Sequence, residues 1–113
     1  MKKIGFIGAY DKTDLIIYIA KILTTLKKKV LVIDATTKQK ARYVVPVINP
    51  TKMYVTEYEE IDIAVGFPNI EDIKRYLGYS EEQDLDYDIV LIDTDSIEGF
   101  SIFKLEESFK NYF

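Results

Sequence analysis

The sequence predicts an α/β fold of three layers, with helices on both faces of a mainly parallel sheet. Three observations predict it. Short apolar segments recur at "KIGFI" (Lys3–Ile7), "VLVID" (Val30–Asp34) and "YDIVLID" (Tyr87–Asp93). Such continuous runs suit strands buried on both faces. Between the first two lies a segment with apolar residues at helical spacing. The connections around it are short, so strand, helix and strand form a βαβ unit, which implies parallel strands and a right-handed crossover.

The elements follow in order. Lys3–Ile7 is the first strand. Thr13–Lys28 is the first helix, with Leu15, Ile19, Ile22, Leu23 and Leu26 as its apolar stripe and Ile16 and Ala20 widening it. Val30–Asp34 is the second strand and ends in an acid. The run "RYVVPVI" (Arg42–Ile48) is apolar, but Pro46 denies it a central place in a ladder. Met53–Thr56 and Ile61–Val65 read as strands. Asn69–Gly78 reads as a helix, with Asn69 able to cap its start, Asp72 in its first turn and Gly78 able to end it. Tyr87–Asp93 is a third core strand, again ending in an acid.

Ser96–Phe113 carries Ile97, Phe100, Ile102, Phe103, Leu105 and Phe109. Apolar surface that dense near a terminus needs a partner. The expectation is an N-terminal portion of a longer fold, residues 1–113 forming one domain whose sheet continues further. The alternative is a terminal helix docked on its own sheet.

Composition narrows the function. The chain of 113 residues is 48% hydrophobic and 30% charged, with net charge −4 and pI near 4.8, as in an ordinary globular domain. Basic residues cluster only briefly (Lys27–Lys29), so there is no direct nucleic-acid signal. There is no cysteine and no histidine, which excludes disulfides, zinc sites built on those ligands and histidine-based triads. No apolar run reaches transmembrane length, and the N-terminal one is too short for a signal peptide. The expected location is the cytoplasm.

The chemistry-bearing stretch is "GFIGAYDKTDLIIYIAKIL" (Gly5–Leu23). A phosphate loop needs backbone N–H groups that converge on the anion, a lysine to neutralise it, a hydroxyl for magnesium and a helix N-terminus behind. Lys12 and Thr13 stand at the head of a helix, as such a loop requires. Most of the glycines are missing.

Together with "KKKVLVIDAT" and "YDIVLIDTDS", this stretch resembles the ParA/MinD-like P-loop ATPases, whose deviant loop reads KGGxGKTT after the first strand. The resemblance spans most of the chain and implies a P-loop NTPase-like fold. It is specific only in the Lys-Thr pair and the strand-end acids. Carried over by position, Lys12 falls on the phosphate lysine and Thr13 on the magnesium hydroxyl. Gly8 matches one loop glycine, Ala9 replaces the next, and Asp11 stands where the glycine before the lysine belongs. Asp14 replaces the second threonine. The signature lysine that reaches a dimer partner's nucleotide is Ile7. Asp93 matches the Walker B acid, and Asp34 ends the neighbouring apolar strand. Each acid is either a metal-side ligand or a cap for the loop after it. The hydrolytic aspartate falls on Thr36, which cannot activate water as a carboxylate does. Asp95 replaces the usual proline after the strand.

The resemblance therefore implies a degenerate member: a non-hydrolysing partner-binding or regulatory module that needs no cofactor and acts with a protein partner or as a homodimer. Asp11 and Asp14 would satisfy the helix N-terminus where a ligand's anion would sit. Lys12→Ala would then leave stability nearly unchanged. The alternative is an ATP-dependent switch with an unusual loop, holding ATP at Gly8, Asp11, Lys12 and Thr13 and Mg2+ at Thr13, Asp34 and Asp93. Tyr10 could stack on a base but also suits a surface filler. A phospho-receiver reading, with Asp93 as acceptor, fits less well. It leaves the first βα unit unexplained, and Asp34 is followed by Ala35, not by a second acid.

Overall fold

The computed structural model describes residues 2–7, 12–36, 53–80 and 82–94. Its elements are β1 (Lys2–Ile7), α1 (Thr13–Thr25), β2 (Val30–Asp34), β3 (Tyr54–Tyr58), β4 (Ile61–Val65), α2 (Ile70–Leu77) and β5 (Ile89–Thr94). The strands form one mixed sheet in the order β1-β5-β2-β4-β3. β1, β5, β2 and β4 are parallel, and β3 runs antiparallel to β4. The fold is α/β, as the sequence predicts. The stretch 42–48 and the tail 96–113 lie outside the described residues.

β1 and β2 are parallel but not neighbours. β5 lies between them and pairs with both. Local patterning fixes the crossover but not the later strand that fills the gap. Strand alternation then sorts the core into two layers. Val30, Val32 and Leu91 pack with Ile16, Ile17 and Ala20 of α1. Leu31, Ile33, Val90 and Ile92 pack with Ile70 and Ile73 of α2. One helix thus covers each face.

The buried face of α1 differs from the stripe the sequence predicts. Thr13, Ile16, Ile17 and Ala20 are buried, an i, i+3, i+4, i+7 set. Leu15, Ile22 and Leu26 are exposed, and Ile19 and Leu23 are half-buried. The segment "LIIYIAKIL" is apolar nearly all round, so periodicity alone leaves its phase undetermined. Two features on the buried face fix it. Ala20 allows close approach to the sheet, and Lys12 with Thr13 anchors the helix start at the sheet edge.

α1 also stops before Lys28. Lys27 takes a left-handed conformation (φ 65°). The Lys28 N–H donates to the Leu23 carbonyl at 3.1 Å and the Lys27 N–H to the Thr24 carbonyl at 3.0 Å. This is a Schellman stop without its usual glycine, so the sequence carries no visible signal for it. α2 ends in the same way on Gly78 (φ 84°), where the glycine announces the stop. At its start, the Asn69 side chain accepts from the Asp72 N–H at 2.8 Å.

The β3–β4 hairpin turns on Glu59 (φ 51°) and Glu60 (φ 69°). A two-residue turn with both residues left-handed ordinarily uses Asn-Gly. Glu59 is held by Lys21 of α1 at 2.6 Å, whereas Glu60 is exposed. Glu60→Gly is therefore expected to raise stability by about 1 kcal/mol, read as a higher urea midpoint at unchanged slope.

At the amino edge, β2 and β5 are tied together before they pair. The Lys29 carbonyl accepts from Asp88 N–H at 2.8 Å, and the Asp88 carboxylate accepts from Lys29 N–H at 2.8 Å. Beside them, the Tyr87 hydroxyl donates to Asp62 at 2.7 Å. Burial raises the Tyr87 phenol above its ordinary range, and the hydrogen bond to Asp62 adds to this. A phenol whose pKa is raised on folding keeps its full contribution below the unfolded value, near 10, and loses it as pH rises further. Stability should fall by up to ~1.4 kcal/mol per pH unit above about pH 10 from this group. Tyr87→Phe should cost about 1–2 kcal/mol at pH 7 and flatten that alkaline slope, measured by urea unfolding from pH 7 to 11.

Candidate functional site

The candidate site lies at the carboxyl edge of the sheet, where β1, β5 and β2 end side by side. Phe6 of β1 and Asp34 of β2 are both in register with Asp93 of β5. α1 begins beside these strand ends. α1, which follows β1, packs on one face of the sheet, and α2, which precedes β5, packs on the other.

Alternation places Asp34 and Asp93 on the α1 side of the sheet, in phase with Val32 and Leu91. Both acids are buried, at 2% and 3% exposure. Lys12 is also buried, at 5%. Its Nζ lies 2.6 Å from Asp93 Oδ1 and donates to the Thr94 carbonyl at 3.1 Å. Thr13, the first residue of α1, is buried next to it in sequence.

Asp34 is engaged locally. Its Oδ1 accepts from the Thr36 N–H at 3.0 Å and from the Thr36 hydroxyl at 2.6 Å. This is the loop-capping role that the sequence leaves open for the strand-end acids. Thr36 is thus a donor to Asp34 through both its N–H and its hydroxyl. The Ala35 N–H donates to the Asp93 carbonyl at 2.8 Å, so the exit of β2 is also fastened to β5.

Four of the sequence-predicted site residues (Lys12, Thr13, Asp34 and Asp93) therefore belong to this edge. Gly8, Asp11 and Tyr10 lie outside the described residues. Asp14 stands in the first turn of α1, as the sequence predicts, and is exposed there. The N-cap position of α1 is Lys12, with its carbonyl accepting from Ile16 N–H at 3.0 Å. Among the described residues, an acid set against Lys12 is Asp93, from the far strand β5. Lys12 and Asp93 form a buried ion pair, so Lys12→Ala is now expected to lower stability. The Thr94 carbonyl was invisible to motif reasoning, because a backbone acceptor has no residue signature.

One oxygen of each strand-end carboxylate already meets a donor of the protein: Lys12 Nζ lies 2.6 Å from Asp93 Oδ1, and Thr36 donates to Asp34 Oδ1. A hard divalent ion such as magnesium would have to share these oxygens or use the others. Among the described residues, no group of three or more Asp, Glu, His or Cys gathers to hold a metal. No described helix is long and apolar enough to cross a membrane. Comparison with protein-family models, curated proteins and solved structures finds no match to this chain.

Proposed function

We propose that this chain is a degenerate ParA/MinD-like nucleotide-binding-fold protein that works as a non-hydrolysing, cytoplasmic partner-binding or regulatory module. One observation carries the reading. The lysine that would meet a phosphate is buried against the protein's own Asp93, at 2.6 Å. An internal anion thus takes the ligand's place.

A triphosphate would have to displace that contact and then sit near the buried negative charge of Asp93. Two like charges at ~4 Å cost on the order of 4 kcal/mol at an effective dielectric near 20. That corresponds to roughly a thousandfold in affinity. Ile7 and Thr36 stand where the family's signature lysine and hydrolytic acid belong, which supports the absence of turnover.

The second reading is an ATP-dependent switch with an unusual loop. It is favoured by the convergence of Lys12, Thr13, Asp34 and Asp93 on one sheet edge. Thermal melting with ATP and Mg2+ separates the two. At 1 mM ligand, a dissociation constant of ~10 µM would add about 2.7 kcal/mol of stability, a rise of roughly 10 °C or more for a domain of this size. The module reading expects a rise below about 1 °C, and a large rise would contradict it.

A further inference from the structure

We infer that Lys21 is a charge-operated clasp on a strained edge hairpin: the β3–β4 turn is held shut from α1, and it loosens when that ionic contact is screened or removed. The device sits at the amino edge of the sheet, where β4 begins. It is separate from Lys12 and Asp93 and goes beyond the functional reading above.

The turn is poorly encoded by its own residues. Glu59 and Glu60 are both left-handed, at φ 51° and 69°. That conformation is unfavourable for any residue with a Cβ. The two adjacent carboxylates also repel each other. Among the described strands, β3 is outermost and pairs with β4, so strand pairing supports it from one side.

What closes the turn comes from another element. Lys21 Nζ lies 2.6 Å from Glu59 Oε2. The same ammonium stands 5.3 Å from the centroid of the Tyr58 ring, within cation–π reach. It therefore grips the last residue of β3 and the first residue of the turn together. Both ends of the clasp are seated. Tyr58 packs against the core layer beneath α1, and Lys21 follows Ala20, which is buried on the sheet. The hydrogen bond to Glu59 raises the Lys21 pKa, so the ammonium stays charged at neutral pH.

Exposure decides how the clasp behaves. The side chains of Lys21 and Glu59 are 42% and 55% exposed. Pairs in that setting are weak and screened by salt, unlike the buried pair of Lys12 with Asp93. Strain and clasp oppose each other, so a modest change in either shifts the balance between the closed and the open turn. An Asn-Gly turn would close without help from a helix.

Amide hydrogen exchange of the full chain tests this, read by NMR at Tyr58 and Ile61, which face each other across the turn. Lys21→Gln should speed exchange there about fivefold, and Lys21→Arg less than about twofold. Salt at about 1 M should speed the parent roughly threefold and leave Lys21→Gln nearly unchanged. Glu60→Gly should restore the protection lost in Lys21→Gln, because it removes the strain that the clasp holds. Urea at about 1 M should leave the turn amides nearly unmoved while speeding those of β5 at least about fivefold, the mark of a local opening. Turn amides indifferent to Lys21→Gln overturn the inference. So does salt that acts equally on parent and Lys21→Gln, or a urea response at the turn as steep as that of β5.

Discussion

Replacing Asp93 with valine should cost about 3–4 kcal/mol of stability, and so should replacing Lys12 with methionine, whereas the two changes together should cost about 1 kcal/mol. The reason is an asymmetry in buried ion pairs. Burying either charge carries a large desolvation penalty, which is offset only while the other charge and its hydrogen bonds remain. Lys12 and Asp93 are both almost fully removed from water and 2.6 Å apart. Lys12→Met leaves a carboxylate in a low-dielectric site with its cation gone. Asp93→Val leaves a buried ammonium that still donates to the Thr94 carbonyl but has lost this carboxylate. Removing both leaves apolar side chains at the junction of α1 and β5. Urea unfolding of the four proteins gives the coupling energy, expected to exceed about 2 kcal/mol. The coupling should persist in 1 M salt, since buried pairs are poorly screened. A coupling near zero would mean that the pair does not hold the start of α1.

Ile16→Ala should cost about 3 kcal/mol, against less than about 0.5 kcal/mol for Ile22→Ala. Both residues lie in the same apolar run of the same helix. Ile16 is 1% exposed and packs in the layer between α1 and the sheet, whereas Ile22 is 45% exposed. Truncating Ile16 loses transfer free energy and leaves a cavity among Val30, Val32 and Leu91, which rigid strands cannot close. Truncating Ile22 removes surface that water already reaches. Equal costs would mean that α1 is rotated about its axis from the orientation described.

These two predictions mark what the sequence could and could not convey. Strand identity was legible wherever runs of Val, Ile and Leu exceeded what a half-buried element needs. "VLVID" and "IDIAV" fall on β2 and β4 to the residue. The α2 boundaries were legible because Asn69 and Gly78 act through their own chemistry, one as an acceptor and the other through its φ. The rotation of α1 was not legible, because a helix apolar on most sides has no phase until the sheet supplies one. Its end was hidden because a lysine adopts the conformation usually left to glycine. The hairpin turn was hidden likewise, in a Glu-Glu pair.

At the site, residue identities were legible but the pairing was not. Lys12, Thr13, Asp34 and Asp93 could be named from their positions at element ends. The proximity of Lys12 to Asp93 depends on β5 inserting beside β1, a relation across most of the chain. Sequence reasoning therefore looked for the internal acid among the near neighbours Asp11 and Asp14. Asp14 instead faces water, and the carboxylate on Lys12 comes from a strand that forms at the far end of the sequence.

The central claim is that Lys12 is committed to Asp93 and is not held ready for a phosphate. The most direct measurement follows the Lys12 ammonium itself by 15N-edited NMR while ATP and Mg2+ are added to the unmodified chain. The account predicts an ammonium signal protected from solvent exchange at the start and unmoved up to ~1 mM nucleotide. A signal that shifts and saturates in the low micromolar range would show the lysine leaving Asp93 for a phosphate, and would contradict it.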